Sequence, residues 1–187
     1  MIEEYEYRGY KVRIEQDESP QSPTEYGDTG LFLVANHRQF YVAEPGEKRV
    51  PEDPDTLIKR YKKTHWIFPL EAYIHSGVVL AYGHEGQFPD RRWDVSQLGF
   101  VFVSKKQWRL SKKAKEVGQG LIDSWNKYLS GEVYGYITKD PDGDEIDSCW
   151  GIYDDDALSY TKECAKASID YWCKQNAPVQ QLELALT

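Results

Sequence analysis

Hydrophobic and polar positions change rhythm several times along the chain. In "GYKVRIE" (9–15) they alternate, the period of a half-buried strand. "QDESPQSPTEYGDTG" breaks the alternation with two prolines and several turn formers, which predicts a loop. "LFLVA" (31–35) reads as a buried strand, and "HRQFYVAEPGE" supplies its hairpin partner. "DPDTLIKRYKK" predicts a helix capped by Asp53 or Asp55, with Pro54 in its first turn. "WIFPLEAYIHSGVVLAYG" (66–83) reads as strand, turn at Ser76-Gly77, strand, and "GHEGQFPDRRW" as a loop. "QLGFVFVS" (97–104), rich in β-branched and aromatic residues, is the most strand-like piece.

The period then becomes helical. Ala114, Val117, Leu121, Trp125, Tyr128 and Leu129 recur at three- and four-residue spacing, and Gly131 follows as a stop. Gly118 and Gly120 weaken the first half of that helix, by roughly 1 kcal/mol each relative to alanine. Alternation returns in "EVYGYITK" and "EIDSCWGIY", joined by the turn "DPDGD". A last helix follows, with Leu158, Thr161, Ala165, Ser168 and Trp172 on its apolar stripe and three aspartates at its positive end. These elements predict an α+β fold: a mostly antiparallel β-sheet packed against two main α-helices and one shorter helix. One globular domain is expected over 1–187, with 1–8 and 178–187 as flexible ends.

Composition changes this picture in three ways. Hydrophobic residues at 40% and charged residues at 29% fit a globular chain with a real core. Aromatics reach 14%, so many Tyr hydroxyls and indole N–H groups need partners, and there is room for a homodimer face. The net charge of −8 disfavours direct nucleic-acid binding, which needs clustered Lys and Arg, and points to a partner protein with a basic surface. No apolar run approaches a membrane span, and "MIEEYEYRGYKV" lacks the order of a signal peptide. Cys149, Cys164 and Cys173 form no CxxC motif and fit reduced thiols. A host cytoplasm is therefore expected, and no cofactor.

The charge is uneven. Residues 1–28 hold eight acids against three bases, and Asp140–Asp156 hold eight acids and no base. Asp140, Asp142, Asp144, Glu145, Asp154, Asp155 and Asp156 are thus the candidate acidic binding surface. "DPDGDEID" superficially resembles a calcium loop, but Glu145 and Gly151 occupy the places that require Gly and a bidentate Glu. A solvated hairpin turn fits better. The basic run "KKQWRLSKKAK" (105–115) reads as a solvated approach to the long helix rather than a phosphate grip.

The nucleophile candidate is Cys149. A reactive thiol needs a His or a helix N-terminus beside it, whereas nearby carboxylates raise a thiol pKa, so core packing is expected for Cys149. No two of His37, His65, His75 and His84 have the helical spacing of a metal pair, and no metal site is expected. Neither a phosphate loop, nor GxSxG, nor HExxH occurs. "YIHSG", "WDVSQLG" and "EIDSCWG" each set polar groups among apolar ones. His75, Ser76, Asp94, Ser96, Gln97, Asp147 and Ser148 could form a network fixing strand order. Alternatively His75, Ser76, Trp93, Asp94, Gln97, Asp147 and Trp150 could form a pocket.

The segments "IEQDESPQSPTEYGDTGLF", "NHRQFYV", "YIHSGVVL", "WDVSQLGFVFVSK", "YLSGEVYGYI" and "DSCWGIY" together make a further pattern. In their order and spacing, over roughly residues 10–153, the chain resembles a widespread, largely uncharacterised family of small proteins carried by phages, plasmids and integrated mobile elements. It departs from that pattern at Asp28-Thr29, where the family has Asp-Asn, and at Val95, where a small residue is usual. The resemblance implies a mobile-element origin and brings no catalytic set.

Three functions follow as expectations. The first is an accessory binding protein that interferes with a host defence factor through an acidic surface, nucleic-acid mimicry included. The second is a small-molecule or nucleotide-binding module with an aromatic pocket near Trp93 and Trp150, with Arg91 and Arg92 near the phosphates. The third is an enzyme dependent on Cys149 or His75, ranked last because no catalytic spacing stands out.

Overall fold

The computed structural model describes residues 1–23, 30–51, 53–83, 88, 95–153 and 156–176. Its elements run β1 (Glu3–Tyr7), β2 (Tyr10–Gln16), β3 (Leu31–His37), β4 (Phe40–Val42), α1 (Pro54–Tyr61), β5 (His65–Ile74), β6 (Val78–Tyr82), β7 (Val95–Ser104), α2 (Ser111–Ser130), β8 (Tyr134–Lys139), β9 (Glu145–Ile152) and α3 (Ala157–Gln175). The fold is α+β, as the pattern predicts, with every strand pairing antiparallel. The strands form two sheets, of four and five strands. Where one domain is expected, chain contacts divide the residues into two compact units, Met1–Pro20 with Val133–Thr187, and Gln21–Glu132.

The first unit holds the four-stranded sheet, ordered β1-β2-β8-β9, and α3. Residues 1–8, expected as a loose end, contain β1, which pairs with β2 across a tight turn. Arg8 and Gly9 both have positive φ, 56° and 83°, the geometry of a two-residue hairpin that follows strand twist. Glycine adopts it freely, whereas Arg8 adopts it under an ion pair to Asp170 of α3 at 2.6 Å. One sheet face presents Val12, Ile14 and Tyr136 to Ala165 and Ile169 of α3. The α3 stripe is shifted from expectation. Ile169 is fully buried where Trp172 was expected, and Trp172 stands 39% exposed. Asp156 caps α3 by accepting from Ser159 N.

The second unit holds the five-stranded sheet, ordered β4-β3-β7-β5-β6, with α1 and α2. The alternating residues of its strands supply two apolar faces, each with its own core cluster. One face sets Leu33, Leu70, Leu80 and Val101 against Ala114, Ile122 and Trp125 of α2. The other sets Phe32, Val34, Phe100 and Phe102 against Leu57 of α1. Asp53 caps α1 and Pro54 opens it, as expected. Gly131 ends α2 in the left-handed conformation, φ 76°.

Gly118 does more in α2 than lower helix propensity. A Cβ there would intrude on Tyr82 Oη and stand 3.2 Å from Val101 Cγ1, so the helix seats on the sheet at this residue. The edge strand β6 is closed by a side chain of the same helix. Asn126 Oδ1 accepts from Leu80 N at 2.7 Å, and its Nδ2 donates to Leu80 O at 3.0 Å. Its amide takes the place of a neighbouring strand at that residue.

Candidate functional site

The candidate residues fall into both units. Asp140, Asp142, Asp144, Glu145, Asp147, Asp156 and Trp150 belong to the first. His75, Ser76 and Gln97 belong to the second. Trp93, Asp94, Asp154 and Asp155 lie outside the described residues, as do His84, Arg91 and Arg92.

The β8–β9 turn is built by its own carboxylates and backbone. Asp140 Oδ1 accepts from Asp144 N at 2.9 Å, Asp144 O accepts from Asp140 N, and Gly143 takes a positive φ of 95°. Asp140 is therefore half-buried and occupied by the turn. Asp142, Asp144 and Glu145 are exposed. Among the described residues, ion pairs form at Arg8, Arg13, Arg60, Lys113 and Lys162, and none of these reaches the turn. Glu145 stands opposite Lys139 in the strand register, so the negative surface meets one cation at its base.

Beyond the turn, β9 is irregular. Ile146 is an extra residue between the pairs Lys139–Glu145 and Thr138–Asp147. A second extra residue falls between Cys149 and Ile152, where Gly151 has φ 77°. The bulges leave Trp150 on the face away from α3, 44% exposed. Its indole takes the space above Gly135 that any side chain there would fill, with Cδ2 among the nearest atoms to a built Cβ. The outward result is an aromatic ring and an acidic turn carried by one edge hairpin.

Asp147 points the other way. It is half-buried and accepts from Tyr136 Oη at 2.7 Å. Burial and this carboxylate push the Tyr136 hydroxyl well above the usual tyrosine range, so it stays a donor at all ordinary pH. Thr138, fully buried, donates to the Asp147 carbonyl at 3.1 Å. Asp147 is thereby a structural acceptor under α3. His75 and Ser76 are exposed at the β5–β6 turn, and Gln97 is exposed on β7. No side-chain hydrogen bond joins any two of the described residues of the expected network.

Cys149 corrects an expectation. It is exposed rather than packed in the core, because it sits on the bulged edge strand, which has no further strand beside it. Partial burial, the neighbouring Cys164 and the Asp147 carboxylate raise its pKa. An exposed thiol held protonated is a poor nucleophile at neutral pH. Among the described residues, no three His, Cys, Asp or Glu side chains converge as metal ligands.

One feature of the second unit has no single signal in the sequence. The short helix α1 leaves part of its sheet face uncovered, and a cavity of about 270 Å³ remains there. Val34, Leu57 and Phe100 form its apolar floor, and Asn36 and Gln97 stand at its mouth.

Compared with family models, curated proteins and solved structures, the chain finds no match. No helix among the described residues is long and apolar enough to cross a membrane.

Proposed function

We propose that the chain is an accessory binding protein of a phage or mobile element that meets a basic surface on a host defence factor through the β8–β9 hairpin. The supporting observation is the exposed set Asp142, Asp144 and Glu145 at the turn of a hairpin that also carries, further along β9, the half-exposed ring of Trp150. Exposed carboxylates steer a cationic partner and set its orientation, while a partly covered aromatic ring supplies the apolar area that such charges lack. Nucleic-acid mimicry is the form of this function in which the partner's basic site otherwise grips phosphate. Of the expected candidates, Asp156 is committed to capping α3, and Asp140 to the turn.

Affinity capture from host cells tests it with the wild type, a D142N/D144N/E145Q triple variant and Trp150→Ala. A partner retained by the wild type should be lost by the triple variant and released as salt rises from low to several times physiological strength. Trp150→Ala should weaken capture without removing the salt dependence. Capture that is equal for all three proteins and indifferent to salt refutes the proposal.

A further inference from the structure

We infer that the cavity of the second unit is a binding site for a small uncharged planar heterocycle of the nucleobase type. Its shape comes from the sequence in three steps. The helix α1 has eight residues and reaches only part of the sheet face. Val34 and Phe100, paired across β3 and β7, are left as a floor, with Leu57 of the helix beside them. Pro51 and Pro54 then wall one side of the space with rings that offer no N–H, so that side supplies no backbone donor at these two residues.

The lining chemistry selects the ligand. Val34 is fully buried, Leu57 2% exposed and Phe100 8% exposed, so the floor prefers an apolar face. The described lining holds no charged side chain, which disfavours a ligand whose buried part is ionised. Asn36 on β3 and Gln97 on β7 bring two carboxamides to the mouth. Each carboxamide offers a donor and an acceptor side by side. Neither makes a side-chain hydrogen bond to another described residue. An edge that both donates and accepts, on a flat apolar body, is the complement of this set. Asn and Gln pair in this bidentate way with the edge of adenine. The volume of about 270 Å³ lies at the small end of ligand pockets, which suits one base or nucleoside and not a dinucleotide.

The bound base can be free or part of a nucleotide, and the probes distinguish the two. Adenine, cytosine, uracil and hypoxanthine are titrated into the full chain beside their nucleoside 5′-monophosphates, with indole as an apolar control. Ligand-observed saturation-transfer NMR and thermal shift are the readouts. At least one base should saturate at up to millimolar concentration. Its affinity should fall about tenfold or more in the N36A/Q97A variant, while indole binding is unchanged. Equal affinity of base and monophosphate identifies the free base as ligand, and tighter monophosphate binding identifies the nucleotide. Both altered side chains are exposed, so the variant should keep the wild-type melting temperature, which is checked first. The inference is overturned if no base saturates, if indole alone binds, or if the double variant binds the base as the wild type does. None of these outcomes touches the acidic hairpin, whose triple variant should bind the base normally.

Discussion

Two glycines of one helix should respond to the same substitution with opposite signs. Gly118 and Gly120 both lie inside α2, where Gly→Ala ordinarily stabilises by about 0.8–1.0 kcal/mol through backbone entropy. Gly120 is exposed, and a Cβ built there meets nothing within 4 Å. Gly120→Ala should therefore deliver that gain in full. Gly118 is buried against β6 and β7. A Cβ there would lie about 1 Å or more inside ordinary contact with Tyr82 Oη. It would also press on Val101 Cγ1 at 3.2 Å and Val103 Cγ2 at 3.3 Å. Tyr82 cannot move aside freely: its ring packs on Phe68, and its hydroxyl donates to the Lys115 carbonyl at 2.7 Å. Overpacking of this kind costs about 1–3 kcal/mol. Loss of the Tyr82 hydrogen bond adds about 1 kcal/mol. After the helix-propensity gain, Gly118→Ala should be destabilising by about 1–3 kcal/mol. Urea unfolding followed by far-ultraviolet circular dichroism measures both variants. For a chain of this size each kcal/mol also moves the thermal midpoint by about 2–4 °C. A Gly118→Ala protein as stable as Gly120→Ala would refute the close seating of α2 on the sheet.

Asn126→Ala should destabilise by about 1–3 kcal/mol, because it strips the partner from the Leu80 N–H and C=O on edge strand β6; hydrogen exchange at Leu80 should quicken at the same time. Cys149 should alkylate at pH 7 more slowly than a small free thiol despite its exposure, with the rate still climbing as pH passes its ordinary value of 9.0, and Asp147→Asn should speed it by removing a charge that raises that pKa. The Arg8 and Tyr7 side chains lower the pKa of Asp170 below its ordinary 3.8. The stability linked to that shift is present above the unfolded value and is lost as pH falls through the folded one. The stability gap between wild type and Asp170→Asn should accordingly shrink below about pH 4, measured as thermal midpoints across an acid series.

Most elements were legible because their signals are local. The Asp53-Pro54 start of α1, the Ser76-Gly77 turn and the Gly131 stop each act through a neighbour or two in sequence. Strand β1 was missed because "EEYEY" alternates charged with aromatic residues, which resembles a solvated tail until α3 covers Tyr5 and Tyr7. The α3 stripe was misplaced at Trp172 for a related reason. Size favours the tryptophan, but the sheet surface opposite accepts Ile169. Cys149 was expected inside because free cysteines usually are, and a bulge on an edge strand overrides that preference. At the candidate surface, exposure of Asp142, Asp144 and Glu145 could be read from the turn. The occupation of Asp147 by Tyr136 could not, since it depends on cross-strand register. The cavity depends on how far a short helix reaches, which no residue announces.

The two extra residues of β9 have a bearing on how the molecule can be met. A regular outer strand offers its row of free amides and carbonyls to any extended chain that drifts past, and so invites fibres. Here that row is broken at Ile146 and again next to Gly151, and no uninterrupted stretch longer than a few residues is left for another chain to copy. Recognition along this border must therefore pass through what projects from it, and crowding alone should not zip one copy to the next.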